Sequence, residues 1–295
     1  MLSSRPVGAE TSLPPIDRQP SKRVQAASAE IRPFAERHAS LPVILITGAS
    51  SGIGAALARF YAAAGASLLL TGRDRERLES VAQDCRARGG EVRTRLLDVR
   101  EREAVGTWIR ETDAATPLDL VIVNAAVNGG HPSGGLETEA TAFETVDINL
   151  IGALNVMLPC VTLMSGRGRG QIALISSLAA YAPLPDAPAY SGAKAALLAH
   201  GLALRQKLKP LGVRLSVVTP GYVKTPMGGV IKGWRPLEMS ADEAAGRIAR
   251  GLERDRDVIA FPAILAALAR GALLVPEWLR SAGLHGFRFR NRQRR

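Results

Sequence analysis

Tyr190 and Lys194 stand four residues apart in Tyr-Ser-Gly-Ala-Lys, within a stretch whose Ala and Leu content favours helix. Four residues is about one helical turn, so the phenol and the ammonium share a face. A neighbouring cation favours loss of the phenol's proton, which suits Tyr190 to proton exchange with a substrate near neutral pH. A free phenol ionises near ~10, so working at pH 7 asks the site for about 4 kcal/mol. Alone the pair is weak evidence, because a solvated helix carries such pairs by chance. The surrounding motifs give it weight.

The elements that must position this pair begin upstream. Pro42-Val-Ile-Leu-Ile-Thr47 is a short apolar run rich in β-branched residues, as a buried parallel strand requires. It leads into Thr47-Gly-Ala-Ser-Ser-Gly-Ile-Gly54 and then into the helical stretch from Ala55. Strand, glycine-rich turn and helix in that order make a phosphate-binding element. Gly48 permits the tight turn, Gly52 lets backbone approach a pyrophosphate, and Gly54 lets the helix pack closely on the sheet. The helix N-terminus offers free N–H groups to the anion.

Together these motifs resemble the short-chain dehydrogenase/reductase family in its single-domain form. The family pattern T-G-x-x-x-G-I-G is matched by Thr47, Gly48, Gly52, Ile53 and Gly54. Its Asn-Ala-Gly motif is present as Asn124-Ala125-Ala126, a departure at the third position that is expected to tighten the turn slightly. The resemblance covers about residues 42–262. It implies a catalytic set of Asn149, Ser177, Tyr190 and Lys194, the spacing to the tyrosine selecting Ser177 over Ser176. Tyr190 would be general acid or base and Lys194 would lower its pKa. Ser177 would donate to the substrate oxygen, and Asn149 would hold a water linking Lys194 to solvent. Asp98 resembles the residue that binds the adenine amino group. Further cofactor contacts carry over to Val99, Asn124, Ala125, Pro220, Gly221, Val223 and Thr225, with Tyr190 and Lys194 themselves beside the nucleotide. The activity implied is hydride transfer between a nicotinamide and a carbonyl/alcohol pair.

Cofactor choice is read at the end of the second strand, where Ala66-Ser-Leu-Leu-Leu-Thr71 runs into Gly72-Arg73-Asp74. An NAD-selective site places a carboxylate there for the ribose 2′-hydroxyl. Here that position is Gly72, and the guanidinium of Arg73 can pair with a 2′-phosphate; Ser50 and Ser51 can add hydroxyl donors. NADP(H) is therefore expected over NAD(H). A two-residue slip would hand Asp74 the ribose role; the reading preferred for it is the N-cap of the helix from Arg75.

Further strand patterns are 91–96, 118–124, 171–176, 213–219 and 258–261, alternating with helical stretches. That alternation predicts an α/β fold, a doubly wound parallel Rossmann sheet of about seven strands with the cofactor across the strands' carboxyl ends. Hydrophobic content of 46% suffices for the core. Cys85 and Cys160 have no pairing pattern and suggest a reducing, cytoplasmic setting. The four scattered histidines give no metal-ligand spacing, and no metal is expected.

The organisation read from the chain is an extension over 1–41, a Rossmann oxidoreductase domain over 42–262, and an apolar helix plus Arg-rich tail over 263–295. The first segment reads as disordered, with a short helix near Ala26–His38 allowed. Residues 258–279 are apolar but interrupted by Pro262, Arg270, Gly271 and Pro276, a poor membrane span. A helix capping the substrate cleft or meeting another subunit fits better. Net charge is +11, of which Arg288, Arg290, Arg292, Arg294 and Arg295 supply +5. These arginines are either a solvated end or a peripheral attachment to an anionic, inner membrane surface; nucleic acid is not expected as a partner. Homo-oligomerisation follows from the resemblance alone.

Specificity is expected in residues 226–239, a glycine-containing lid with Val230, Ile231, Trp234, Leu237 and Met239 as apolar contacts and Lys232 and Arg235 as cations. Residues 128–135 would form the opposite rim. The substrate expected is a medium-sized apolar ketone or alcohol. Against the enzyme stand two other classes, a non-catalytic dinucleotide sensor and a membrane-recruited scaffold. The intact catalytic set argues against the first.

Overall fold

A computed structural model describes residues 42–131, 135–228, 231–232, 235–272, 275 and 290–291. The expected extension over 1–41 lies outside them, as do Val230, Trp234 and, apart from its two-residue strand, the tail beyond Val275.

Seven parallel strands form one sheet. In chain order they are β1 (Val43–Ile46), β2 (Ser67–Gly72), β3 (Glu91–Leu96), β4 (Leu120–Val123), β5 (Gly170–Ile175), β6 (Val213–Pro220) and, after three two-residue strands, β10 (Val258–Phe261). Their spatial order is β10-β6-β5-β4-β1-β2-β3, so the connection direction reverses between β1 and β4. All pairings in this sheet are parallel, β1 lying between Leu68 of β2 and Leu120 of β4 at Ile44. The central strands are buried along their length, whereas the edge strand β3 exposes Glu91, Arg93 and Arg95. A polar edge discourages pairing with another chain.

Period-two alternation sends neighbouring side chains to opposite layers. Ile44 and Ile46 join Leu57 of α1 (Gly52–Ala62), Leu78 of α2 (Arg75–Ala87) and Ile248 of α7 (Ala241–Glu253). Val43 and Leu45 join Ile109 of α3 (Arg102–Ala115), Met157 of α5 (Gly152–Arg167) and Leu197 of α6 (Pro188–Leu208). Helix α4 (Glu139–Val146) runs through a π turn, Asp147–Ile151, into α5. Residues 139–167 are long and apolar enough to cross a membrane by length and composition. Val156, Met157, Cys160 and Met164 instead bury that stretch in the core.

After β6 come β7 (Val223–Lys224), β8 (Ile231–Lys232) and β9 (Met239–Ser240); β7 pairs with β9 and brackets the lid segment. Pro262, read from sequence as an interruption, is the N-cap of α8 (Ala263–Gly271), since its fixed φ suits a helix entrance rather than an interior. The described part of the apolar 258–279 run is therefore a strand, a proline and a short helix. A last strand, β11 (Arg290–Asn291), pairs antiparallel with β8.

Candidate active site

The carboxyl ends of the strands open into one cavity of about 1180 Å³, reaching from Arg73 at one end to Val275 at the other. Its floor is the glycine turn between β1 and α1. Gly48 and Gly52 have φ of 64° and 57°, backbone that side chains resist. A Cβ on Gly48 would lie 2.8 Å from the Ala125 Cα, and one on Gly54 would lie 2.5 Å from the Gly48 carbonyl oxygen. The Thr47 hydroxyl accepts from the backbone N–H groups of Asn124 (3.0 Å) and Ala125 (3.2 Å). Asn124 Nδ2 donates back to the Thr47 and Gly48 carbonyls at 3.0 and 3.1 Å. These bonds staple the end of β4 to the turn. The Ala49 N–H donates to the Thr71 carbonyl of β2 at 2.8 Å, which closes the cradle on its other side. Ser51 is the N-cap of α1, and its side chain makes no capping bond. A backbone cradle with no room for a Cβ, at a helix N-terminus, fits a pyrophosphate.

Gly72 ends β2 and Arg73 follows it, exposed at the cavity edge. Ser50 packs on Gly72, where a Cβ would meet its own at 3.2 Å. Asp74 is the N-cap of α2, accepting from the Arg77 backbone N–H at 3.0 Å and from Arg77 Nε at 2.6 Å. Those bonds, the backbone one foremost, hold its carboxyl below the usual range. Arg77 lines the same end of the cavity, a cation the sequence reading did not single out although helical spacing placed it one turn past the cap. Asp98 is held bidentately by Arg100, with Arg100 Nη2 to Asp98 Oδ2 at 2.6 Å. Chiefly through that pairing its carboxyl lies below the usual range. Val99 also lines the cavity, and its carbonyl accepts from Asn155 Nδ2 at 3.0 Å.

At the centre stand Ser177, Tyr190 and Lys194, all on the cavity wall. Ser177 caps the 3-10 turn Leu178–Ala180, its hydroxyl accepting from the Ala179 N–H at 3.1 Å. Ser176 is buried and its hydroxyl donates to the Lys194 carbonyl at 2.7 Å, so of the two serines Ser177 has the hydroxyl turned to Tyr190. Tyr190, half-buried in the first turn of α6, has its phenol pushed up by burial, opposed by the hydrogen bond with Ser177. Lys194 is 2% exposed, lies 5.7 Å from the Tyr190 ring centroid and donates from Nζ to the Ile175 carbonyl at 2.8 Å. Burial pulls its ammonium down to about 8.

Asn149 does not reach the cavity wall with these three. It is fully buried in the π turn, accepting at Oδ1 from the Val127 N–H (2.7 Å) and donating from Nδ2 to the Val127 carbonyl (2.9 Å). Its side chain thus fixes the loop after β4. A water relay through Asn149 would have to use what those two bonds leave, a lone pair, an amide hydrogen or the main-chain carbonyl.

The far half of the cavity is closed by the two expected rims and by α8. Asn128 Nδ2 donates across the cleft to the Met227 carbonyl at 2.8 Å. In the lid, Arg235 Nη1 meets Glu238 Oε1 at 2.7 Å and the Gly228 carbonyl at 3.2 Å. Thr225 accepts from the Gly228 N–H at 2.9 Å and lies against Gly52. Gly221 is bonded to the Phe261 carbonyl at 2.7 Å, which ties the chain after β6 to β10. Leu265, Leu268, Ala269, Ala272 and Val275 supply an apolar wall.

Glu137 is a residue the sequence reading missed. One carboxylate oxygen accepts from the Gly130 N–H at 2.7 Å and the other from the Ala189 N–H at 3.0 Å. It pins the rim loop to the first turn of the helix carrying Tyr190. Nothing local marked it, since an acidic residue just before a helix reads as solvated charge. Glu137→Ala should lower unfolding free energy by about 1.5–3 kcal/mol, because both donors lose a charged acceptor. Urea unfolding checks this, and an unchanged midpoint would remove the pin.

Comparison with known proteins settles the family. The short chain dehydrogenase model matches residues 42–236. The chain belongs to the short-chain dehydrogenase family. An oxidoreductase from Myxococcus xanthus is 33% identical over 245 residues, covering 83% of this chain and 96% of that one. Sulfoacetaldehyde reductase 2 from Chromohalobacter salexigens is 36% identical over 185 residues, covering 62% and 73%. A short-chain dehydrogenase from Sphingobium yanoikuyae, solved with NADPH, superposes with a TM-score of 0.70 at 28% identity, covering 84% and 97%. As a short-chain dehydrogenase this chain is an oxidoreductase with a Rossmann-like parallel sheet, and its glycine cradle fits the nicotinamide dinucleotide of such enzymes.

Proposed function

We propose that this short-chain dehydrogenase interconverts a carbonyl and an alcohol, with NADP(H) preferred. The observation that carries the chemistry is the meeting of Ser177, Tyr190 and Lys194 on one cavity wall. The nicotinamide, when bound, supplies or takes up the hydride. Tyr190 gives the proton to the developing alkoxide in reduction and removes it in oxidation. Ser177 donates to the same oxygen. Lys194, its ammonium short of water, favours the phenolate. The protein's own burial raises the Tyr190 phenol, so the lowering assigned to Lys194 also draws on the positive charge of the oxidised nicotinamide. Asn149 positions the loop after β4.

NADP(H) is supported by Arg73 and Arg77 at the adenosine end, with Asp74 committed to a cap and to Arg77 and Asp98 held by Arg100. The test is a titration with NADPH and NADH in parallel. NADPH should bind more tightly, and Arg73→Ala should weaken NADPH roughly tenfold or more while leaving NADH almost unchanged. Equal affinities in the wild type would reverse the preference.

For the substrate, the wall from α8 and the 3-10 turn is apolar, and Arg235 is already neutralised by Glu238. This favours an uncharged, medium-sized ketone or alcohol over a small anionic aldehyde of the kind named for the similar sulfoacetaldehyde reductase. Exposed Phe143 of α4, Ile151 of the π turn and Leu158 of α5 support a homo-oligomer.

A further inference from the structure

Helix α8 turns two different faces outward and inward. Ala266 and Ala269 are buried, and Leu265 and Ala269 line the cavity. Its one charged side chain, Arg270, is drawn back onto the body: Nη2 lies 3.3 Å from the Tyr181 hydroxyl and the guanidinium sits 5.1 Å from that ring's centroid. This cation–π contact fixes the helix, while Arg270 itself stays exposed near its C-terminal end. The other exposed residues are Ala263, Ile264, Ala267, Leu268 and Gly271, at successive helical turns, with Arg270 the one polar side chain beside them. Ile264 is 66% exposed and Leu268 65%. Scattered exposed leucines need no explanation, but a continuous apolar ridge at the mouth of an apolar cavity does.

We propose that the outer face of α8 docks on an anionic lipid surface, the helix lying along it so that the cavity mouth opens against lipid. Two observations favour lipid as the occupant. Leu268 belongs both to the exposed ridge and to the cavity wall, so an apolar molecule passes from the covering phase to the chamber without crossing water. The net charge of +11 attracts anionic headgroups. Pairing of β11 with β8 sets Arg290 opposite Lys232 in the lid that bounds the same cavity. An amphipathic helix of this kind gains from apolar insertion and from headgroup attraction together.

The test uses the full chain, sedimented with phosphatidylcholine vesicles or with vesicles that mix phosphatidylcholine and phosphatidylglycerol. The wild type should partition at least ~10-fold more strongly onto the mixed vesicles, and salt should weaken this. Ile264→Glu with Ala267→Glu, both at exposed positions outside the cavity wall, should lower that partition roughly tenfold or more with an unchanged thermal midpoint. Ile264→Ser, which adds no charge, should give a smaller loss in the same direction. Equal sedimentation of wild type and both variants overturns the proposal, as does failure of the wild type to bind mixed vesicles. A doubled mass in light scattering that the Glu variant abolishes, without vesicle binding, would assign the ridge to a second copy and overturn it too. None of these readouts depends on turnover, so the outcome stands apart from the proposed reaction.

Discussion

Tyr190→Phe should lower kcat by roughly 10²–10⁴-fold while the NADPH dissociation constant stays essentially unchanged. The substitution removes one oxygen and keeps the ring, so the half-buried side chain retains its place in the first turn of α6. What is lost is the proton donor facing Ser177. The pH dependence has a sign that follows from the chemistry. Burial raises the phenol, so the phenolate needed for alcohol oxidation becomes more abundant as pH rises, and oxidation should accelerate toward alkaline pH. Reduction needs the protonated phenol and should be fastest at lower pH. Both dependences should flatten in the Phe variant. Measured kcat against pH in each direction checks this, and equal turnover by wild type and variant would sink the assignment of Tyr190.

Gly54→Ala should weaken NADPH binding and destabilise the fold together. The new Cβ would stand 2.5 Å from the Gly48 carbonyl oxygen and 2.6 Å from Asn124 Nδ2. Neither neighbour can yield cheaply: one is backbone in the glycine turn, the other is bonded to the Thr47 and Gly48 carbonyls. Helix α1 must therefore lift from the turn. Overpacking of this kind costs about 1–3 kcal/mol, or roughly 5- to 150-fold if it falls on the nucleotide. Gly166 is the control. It lies in α5 with nothing within 4 Å of an added Cβ, so Gly166→Ala should be neutral or stabilise by about 0.5–1 kcal/mol. Urea unfolding and NADPH titration of the two variants, side by side, separate steric exclusion from a general intolerance of change at glycine.

The parts of this molecule legible in the sequence are those whose contacts are local or periodic. The glycine turn, the strand patterns and the four-residue spacing of Tyr190 and Lys194 are all written within a few positions. So is the cap at Asp74, which follows from a carboxylate one place before a helical stretch. The rest depends on contacts between distant segments. Glu137 reaches Ala189 and Asn128 reaches Met227, and no local pattern records either bond. Asn149 was legible as a position but not as a contact, because its amide is consumed by Val127 inside a π turn that periodicity does not distinguish from α-helix. The strand over 258–261 and the apolar run after it are visible in the sequence, but Pro262 reads as an interruption rather than as the cap of the helix that follows.

The staple between Thr47 and Asn124 also says something about when a binding site comes into being. Its two halves are 77 residues apart and meet only once β4 has docked beside β1. A chain still emerging, or one partly unravelled, presents a glycine-rich segment with no opposing wall and has nothing with which to hold a nucleotide. The cofactor is therefore a ligand of the finished sheet alone. By mass action it adds about 2.7 kcal/mol to the folded state at a hundredfold excess over its dissociation constant. Cellular nucleotide supply is in that sense part of what keeps the chain folded.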